Sequence, residues 1–188
     1  MRNWKRVETA DGARFRSALD AHEAALLKNL VASMIGLLEE RESSSPQDEL
    51  EQITGMKTGN SEPPDNVTLQ RLLPDFSKPD AGEAIDSLNA ALRSLHEPSI
   101  IDAKRAAAQQ LLDTLPNDGG KLELTEDAAN AWIAAVNDLR LALGTMLDIR
   151  PDGPDRLPDD HPMAPHLDVY QWLTVLQEYL VLALMGSR

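Results

Sequence analysis

The stretch His166 to Met185, HLDVYQWLTVLQEYLVLALM, constrains the fold more than any other. Apolar residues recur at Leu167, Tyr170, Leu173, Leu176, Leu180 and Leu184, and a second row runs Val169, Trp172, Val175, Tyr179, Leu182 and Ala183. Rows at helical spacing on two sides define a helix that is apolar nearly all round, and such a helix has to be covered by others. It reads as the central post of a helical domain. Glu178 lies in this helix between Leu176 and Leu180. A half-buried carboxylate takes a cationic partner, so an Arg140–Glu178 pair is expected, and Glu178→Ala should cost stability. The run Leu180 to Met185 is too short to span a bilayer. The start, MRNWKRVETADG, lacks the apolar core of a signal peptide, so a cytoplasmic location is expected.

A chain of 188 residues can bury one real core. Only 4% of it is aromatic, so that core is mostly Leu, Ala, Val and Ile, of which Leu and Ala favour helix. The formal charge of −13 repels nucleic acid and anionic membranes at long range. Direct DNA binding and membrane contact are therefore not expected, and a protein partner with a basic surface is. There are no cysteines, which excludes disulfides, thiol catalysis, thiolate metal sites and a cysteine redox switch.

Taken in order, residues 2 to 17 read as a β-hairpin turning at Ala10-Asp11-Gly12. With a three-residue loop Val7 faces Phe15 and Glu8 faces Arg14, pairing apolar with apolar and opposite charges. Two strands alone are marginal, so the hairpin must pack on the helices. It carries Arg2, Lys5, Arg6, Arg14 and Arg16, the one basic patch of an acidic chain. A helix follows from about Asp20 to Glu40, with Asp20 and Glu23 as a capping box and His22 a surface residue of its first turn. Residues 41 to 67, rich in Ser, Pro, Gly and Asn, read as a mobile loop, and Thr68 to Leu73 as a short helix stopped by Pro74. Ala81 to Leu95 and Pro98 to Leu115 read as a helical hairpin with a break near His96-Glu97. The first helix of that pair turns Ile85, Leu88, Leu92 and Leu95 to the core. Leu122-Glu123-Leu124 reads as a short extended stretch. Thr125 caps a further helix with Ala128, Trp132, Val136, Leu139, Leu143 and Met146 on its apolar face, the antiparallel neighbour of the last one. Residues 150 to 165 are a Pro/Asp-rich connector. Its Asp152, Asp155, Asp159, Asp160 and His161 could gather a cation, but the spacing is not that of an EF-hand loop.

No phosphate-binding loop, dinucleotide fingerprint, nucleophile elbow or zinc-binding histidine pair is present. With four scattered histidines and no cysteine, no catalytic, cofactor or metal residue is assigned, and an enzyme is not expected. The candidates for partner binding are Trp4, Lys5, Arg6, Arg14 and Arg16 on the hairpin, and Asn137, Asp138 and Arg140 on the helix after Thr125.

Several stretches carry a family resemblance: WKRVETADGARFRSALDAHEAALLKNLVASMIGLLEERESSS (4 to 45), DELEQITGMKTGNSEPP (48 to 64), AWIAAVNDLRLALGTMLDI (131 to 149) and DVYQWLTVLQEYLVLAL (168 to 184). Together they resemble an actinobacterial family of unknown function whose genes tend to lie beside that of the Clp protease adaptor. One branch is described as an oxidative-stress transcriptional regulator working with an extracytoplasmic-function sigma factor. The resemblance implies a mainly helical protein that influences transcription through contact with a sigma factor or RNA polymerase; the alternative is an adaptor tied to Clp-type proteolysis. It also implies a cysteine pair as the redox sensor of that branch, which this chain lacks. A response to oxidants would then pass through a partner or through Met34, Met56, Met146, Met163 or Met185.

The expected fold is mainly α, a single domain over 1–188 with five or six helices and an N-terminal β-hairpin. The surplus apolar face of the last helix points to a homodimer.

Overall fold

The computed structural model describes residues 3–45, 58–77, 83–149 and 160–186. Its elements are β1 (Lys5–Thr9), β2 (Gly12–Leu19), α1 (Ala21–Ser43), α2 (Val67–Leu72), α3 (Glu83–Thr114), β3 (Gly120–Leu124), α4 (Glu126–Met146) and α5 (Ala164–Leu184). The mainly helical single domain is as expected, and its sheet is antiparallel in the order β1-β2-β3. The stretch at Leu122 supplies the third strand that a two-stranded hairpin needs.

The register of the hairpin differs from the expected one by a residue. Val7 faces Arg14, Glu8 faces Ala13 and Arg6 faces Phe15. The turn falls on Ala10 and Asp11, closed by the Thr9 hydroxyl donating to the Gly12 carbonyl at 2.7 Å. Phe15, Leu19, Leu122 and Leu124 thereby point inward and are buried.

Asp20 caps α1 as a full capping box: its side chain accepts from the Glu23 N–H, and Glu23 accepts from the Asp20 N–H. The centre of the domain is α4, not the last helix. It packs against α1, α2, α3, α5 and the sheet, with Ala129, Trp132, Ala135 and Val136 fully buried. Alanines on that face let neighbours approach from several sides. On α5, Leu173, Leu176 and Leu180 are buried, while Val175, Tyr179 and Leu182 are 37–39% exposed.

The expected helical hairpin over 81–115 is instead one helix, α3, with Pro98 inside it. Proline removes the N–H that would bond the Ser94 carbonyl. That carbonyl is satisfied from outside, by the Gly59 N–H at 2.7 Å. A Cβ on Gly59 would lie 2.8 Å from Pro98 Cδ, so only glycine can come close enough. Asn60 beside it caps α1, donating to the Arg41 carbonyl and to the Ser44 and Ser45 hydroxyls. Gly59→Ala is expected to destabilise by about 1–3 kcal/mol, the cost of overpacking a tight contact. Urea denaturation checks this; a change within a few tenths of a kcal/mol would show that the contact carries no weight.

Of the apolar row assigned to the first half of α3, Ile85 and Leu92 are half-buried and the other two are turned outward. Leu88 and Leu95 are about half-exposed, and the buried row is Asn89, Arg93 and Glu97. Of the expected mobile loop, Arg41 to Ser43 belong to α1 and residues 46–57 lie outside the described residues; so do 150–159 of the connector.

A basic sheet face and a buried ion network as candidate functional sites

Residues paired across strands share a face of the sheet. The rows Lys5–Arg16–Glu123 and Val7–Arg14, with Ala18–Lys121, form the outer face. It presents four cations, Lys5, Arg14, Arg16 and Lys121, against the single carboxylate of Glu123. Arg16 pairs with Glu123. Arg14 donates to the carbonyls of Asp11 and Ala13, and neither it nor Lys5 or Lys121 has a carboxylate partner among the described residues. A depression of about 500 Å³ lies among Asn3, Lys5, Arg16, Lys121 and Glu123. Lys121 was not among the residues singled out by sequence. The alternation around Leu122 marks its strand, but only the fold brings that strand beside β2.

The other candidates lie elsewhere. Arg6 is on the inner side of β1, paired with Glu8 at 2.7 Å and donating to the Leu184 carbonyl at 3.2 Å. Trp4 is buried edge-on against Trp132, centroids 5.7 Å apart, and its indole N–H has no acceptor among the described residues. Asp138 is buried and holds Lys104 of α3 at 2.7 Å. Burial raises the Asp138 carboxyl above its ordinary range, and Lys104 opposes that rise. Asn137 is half-buried beside it.

Arg140 joins α4 to α5 without the expected ion pair. It donates to the Thr174 hydroxyl at 3.0 Å and to the Gln177 side-chain carbonyl, and stands 5.5 Å from the centre of the Tyr170 ring. Glu178 is exposed and makes no pair with it. One position along a helix turns a side chain by about 100°, so Gln177 faces α4 and Glu178 faces away. The stability loss expected for Glu178→Ala has no ion pair among the described residues to rest on.

The most heavily buried charged groups among the described residues, Arg93 and Glu97, also escaped the sequence. Glu97 of α3 accepts from Arg41 Nε at 2.7 Å and from Arg93 Nη1 at 2.7 Å, and Arg93 also reaches Asp75 at 2.6 Å. The same guanidiniums donate to backbone carbonyls, Arg41 to Glu62 at 2.5 Å and Arg93 to Leu73 at 3.1 Å. Arg93 and Glu97 are each 2% exposed. Burial would lower the Arg93 affinity for its proton, but hydrogen bonds and charge from Glu97 and Asp75 outweigh it and hold the group above its usual range. The arms of this network are spent on α1, α3 and the segment between them, so its chemistry is structural.

Among the described residues no group of three or more His, Asp or Glu is placed to hold a metal, and no helix is long and apolar enough to cross a membrane. Most of the Asp-rich metal candidate lies outside the described residues. Of the methionines, Met34 is buried, Met163 is half-buried, Met146 and Met185 are exposed, and Met56 lies outside the described residues.

The domain of unknown function DUF2017 matches residues 1–184. The chain is 69% identical over 196 residues to the protein named oxidative stress regulator AosR of Mycobacterium tuberculosis, and equally to that of Mycobacterium bovis, covering all of this chain and 90% of the relative. It is 67% identical to the putative oxidative stress regulator AosR of Mycobacterium leprae, with the same coverage. No solved structure matches it significantly. The chain belongs to the DUF2017 family.

Proposed function

We propose that this DUF2017 member is a non-enzymatic regulator of the oxidative-stress response, acting by contact with a sigma factor or RNA polymerase, and that the outer sheet face makes the contact. The observation that carries this reading is the segregation of Lys5, Arg14, Arg16 and Lys121 onto one face of a chain whose net charge is −13. Such a patch selects and orients an acidic surface on the partner, in place of the basic one that net charge alone points to, while the acidic remainder repels nucleic acid. The names of the mycobacterial relatives support the oxidative-stress role. With no cysteine in the chain, the oxidant signal arrives through the partner rather than through a thiol here.

The test is capture from a lysate of the source organism on tagged chain at moderate salt, read by mass spectrometry. Sigma factor or polymerase subunits are expected in the eluate. The triple reversal Lys5→Glu, Arg14→Glu, Lys121→Glu is expected to weaken capture about tenfold, or about 1.4 kcal/mol shared among three charges of that face. Clp components in the eluate, or capture indifferent to the reversal, would count against the reading.

A further inference from the structure

The strand order leaves β1 at a sheet edge, with one side of its backbone unpaired among the described residues. A groove of about 690 Å³ runs beside it, between Trp4, Arg6 and Glu8 on one side and Tyr179 and Leu182 of α5 on the other. The outer face of α5 continues that wall as an apolar row, Val175, Tyr179, Leu182 and Met185, at helical spacing and 37–74% exposed. An apolar row of this kind beside an open strand edge is the signature of an interface.

We infer that a second copy of the chain covers both features. The two β1 strands pair antiparallel about a two-fold axis through Val7, forming a six-stranded sheet, and the two α5 rows meet beneath it. The register follows from symmetry and charge. To keep both helical layers on the same side, the axis stands perpendicular to the sheet, and because side chains alternate it passes through a residue rather than between two. An axis through Arg6 sets Arg6 against Arg6, and one through Glu8 sets Glu8 against Glu8. The axis through Val7 sets Val7 against Val7, and Arg6 against Glu8 twice. Opposite charges across a strand pair stabilise and like charges destabilise. Arg6 and Glu8 already pair within one chain at 2.7 Å, so the dimer closes a ring of alternating charge. This edge carries one cation and one anion on its inner side, which fits its own copy better than an acidic segment, which would meet Glu8.

The experiment is light scattering on the full chain at tens of micromolar. The wild type is expected at twice the 20.6 kDa of one chain. Arg6→Glu sets a carboxylate against Glu8 at two places and is expected to give monomer. Arg6→Glu with Glu8→Arg exchanges the charges and is expected to restore the dimer, which a merely damaged hairpin would not do. Leu182→Glu, in the part-exposed row, is expected to give a monomer that keeps the wild-type helical circular dichroism. A wild-type mass of one chain would overturn the proposal, whether or not the groove then accepts a foreign peptide. So would a dimer indifferent to Arg6→Glu and Leu182→Glu, or one that the double exchange fails to restore.

Discussion

Glu97→Ala is expected to lower stability by about 3–5 kcal/mol, the cost of stranding buried charge by removing one partner. The loss is large because Glu97 is the shared anion of two guanidiniums that stay buried without it. Among the described residues Arg93 keeps the partly exposed carboxylate of Asp75 as its one anion, with the Leu73 carbonyl, and Arg41 keeps the Glu62 carbonyl and no anion. For a chain of this size the melting temperature should fall by roughly 6–20 °C. Glu39→Ala is the control. It removes one arm of an exposed pair with Arg105, and such pairs are worth at most about 1 kcal/mol. Equal losses at the two sites, in thermal or urea unfolding, would refute the network as a keystone. Replacing Arg41, Arg93 and Glu97 together by apolar residues would remove the charge problem but leave the Leu73 and Glu62 carbonyls without these donors. The network is therefore more than paired charge: it is how 58–77 is fastened to α1 and α3.

That fastening explains where the sequence was legible and where it was not. Helices α1, α4 and α5 follow from apolar periodicity, and the capping residues Asp20 and Thr125 are where local chemistry put them. These are local properties, readable within a few turns. The first half of α3 obeys a different logic. Leu88 and Leu95 look like a core face, yet Asn89 and Arg93 point inward because a distant segment brings carbonyls and Asp75 to meet them, and Glu97 points inward because Arg41 of α1 and Arg93 meet it. Pro98 looks like a helix start because the donor replacing its missing N–H, Gly59, is far away in the chain. The same holds for the candidate site. The basic residues of the hairpin are visible in order, but one step of register decides that Arg14 and Arg16 share a face with Lys5 and that Arg6 does not. The fourth cation, Lys121, arrives only through the pairing of β2 with β3.

Trp132→Ala is the second large effect, with an expected loss of about 3–5 kcal/mol for truncating a fully buried aromatic. Trp132 binds three layers at once. Its indole N–H donates to the Thr114 hydroxyl of α3 at 2.7 Å, its backbone belongs to α4, and its ring meets Trp4 edge-on at the start of β1. Removing it opens a cavity under the sheet and leaves Trp4 without its aromatic partner. The consequence should therefore be uneven. Amide exchange in β1 is expected to accelerate beyond what the global loss dictates, because Trp4, at the start of β1, packs on this ring. Trp132→Phe keeps a ring against Trp4 and loses the N–H bond, and is expected to cost about 1–2 kcal/mol. The Thr114 hydroxyl is not stranded in that variant, since it already donates to carbonyls of its own helix. Urea unfolding of the two variants, with hydrogen exchange on β1, separates the possibilities. A loss below about 2 kcal/mol in Trp132→Ala would mean that the site collapses onto itself. Uniform exchange in β1 would mean that the sheet is held by Phe15 and Leu124 instead. In that case the basic face would keep its geometry without the tryptophan pair, and binding through it should survive the substitution.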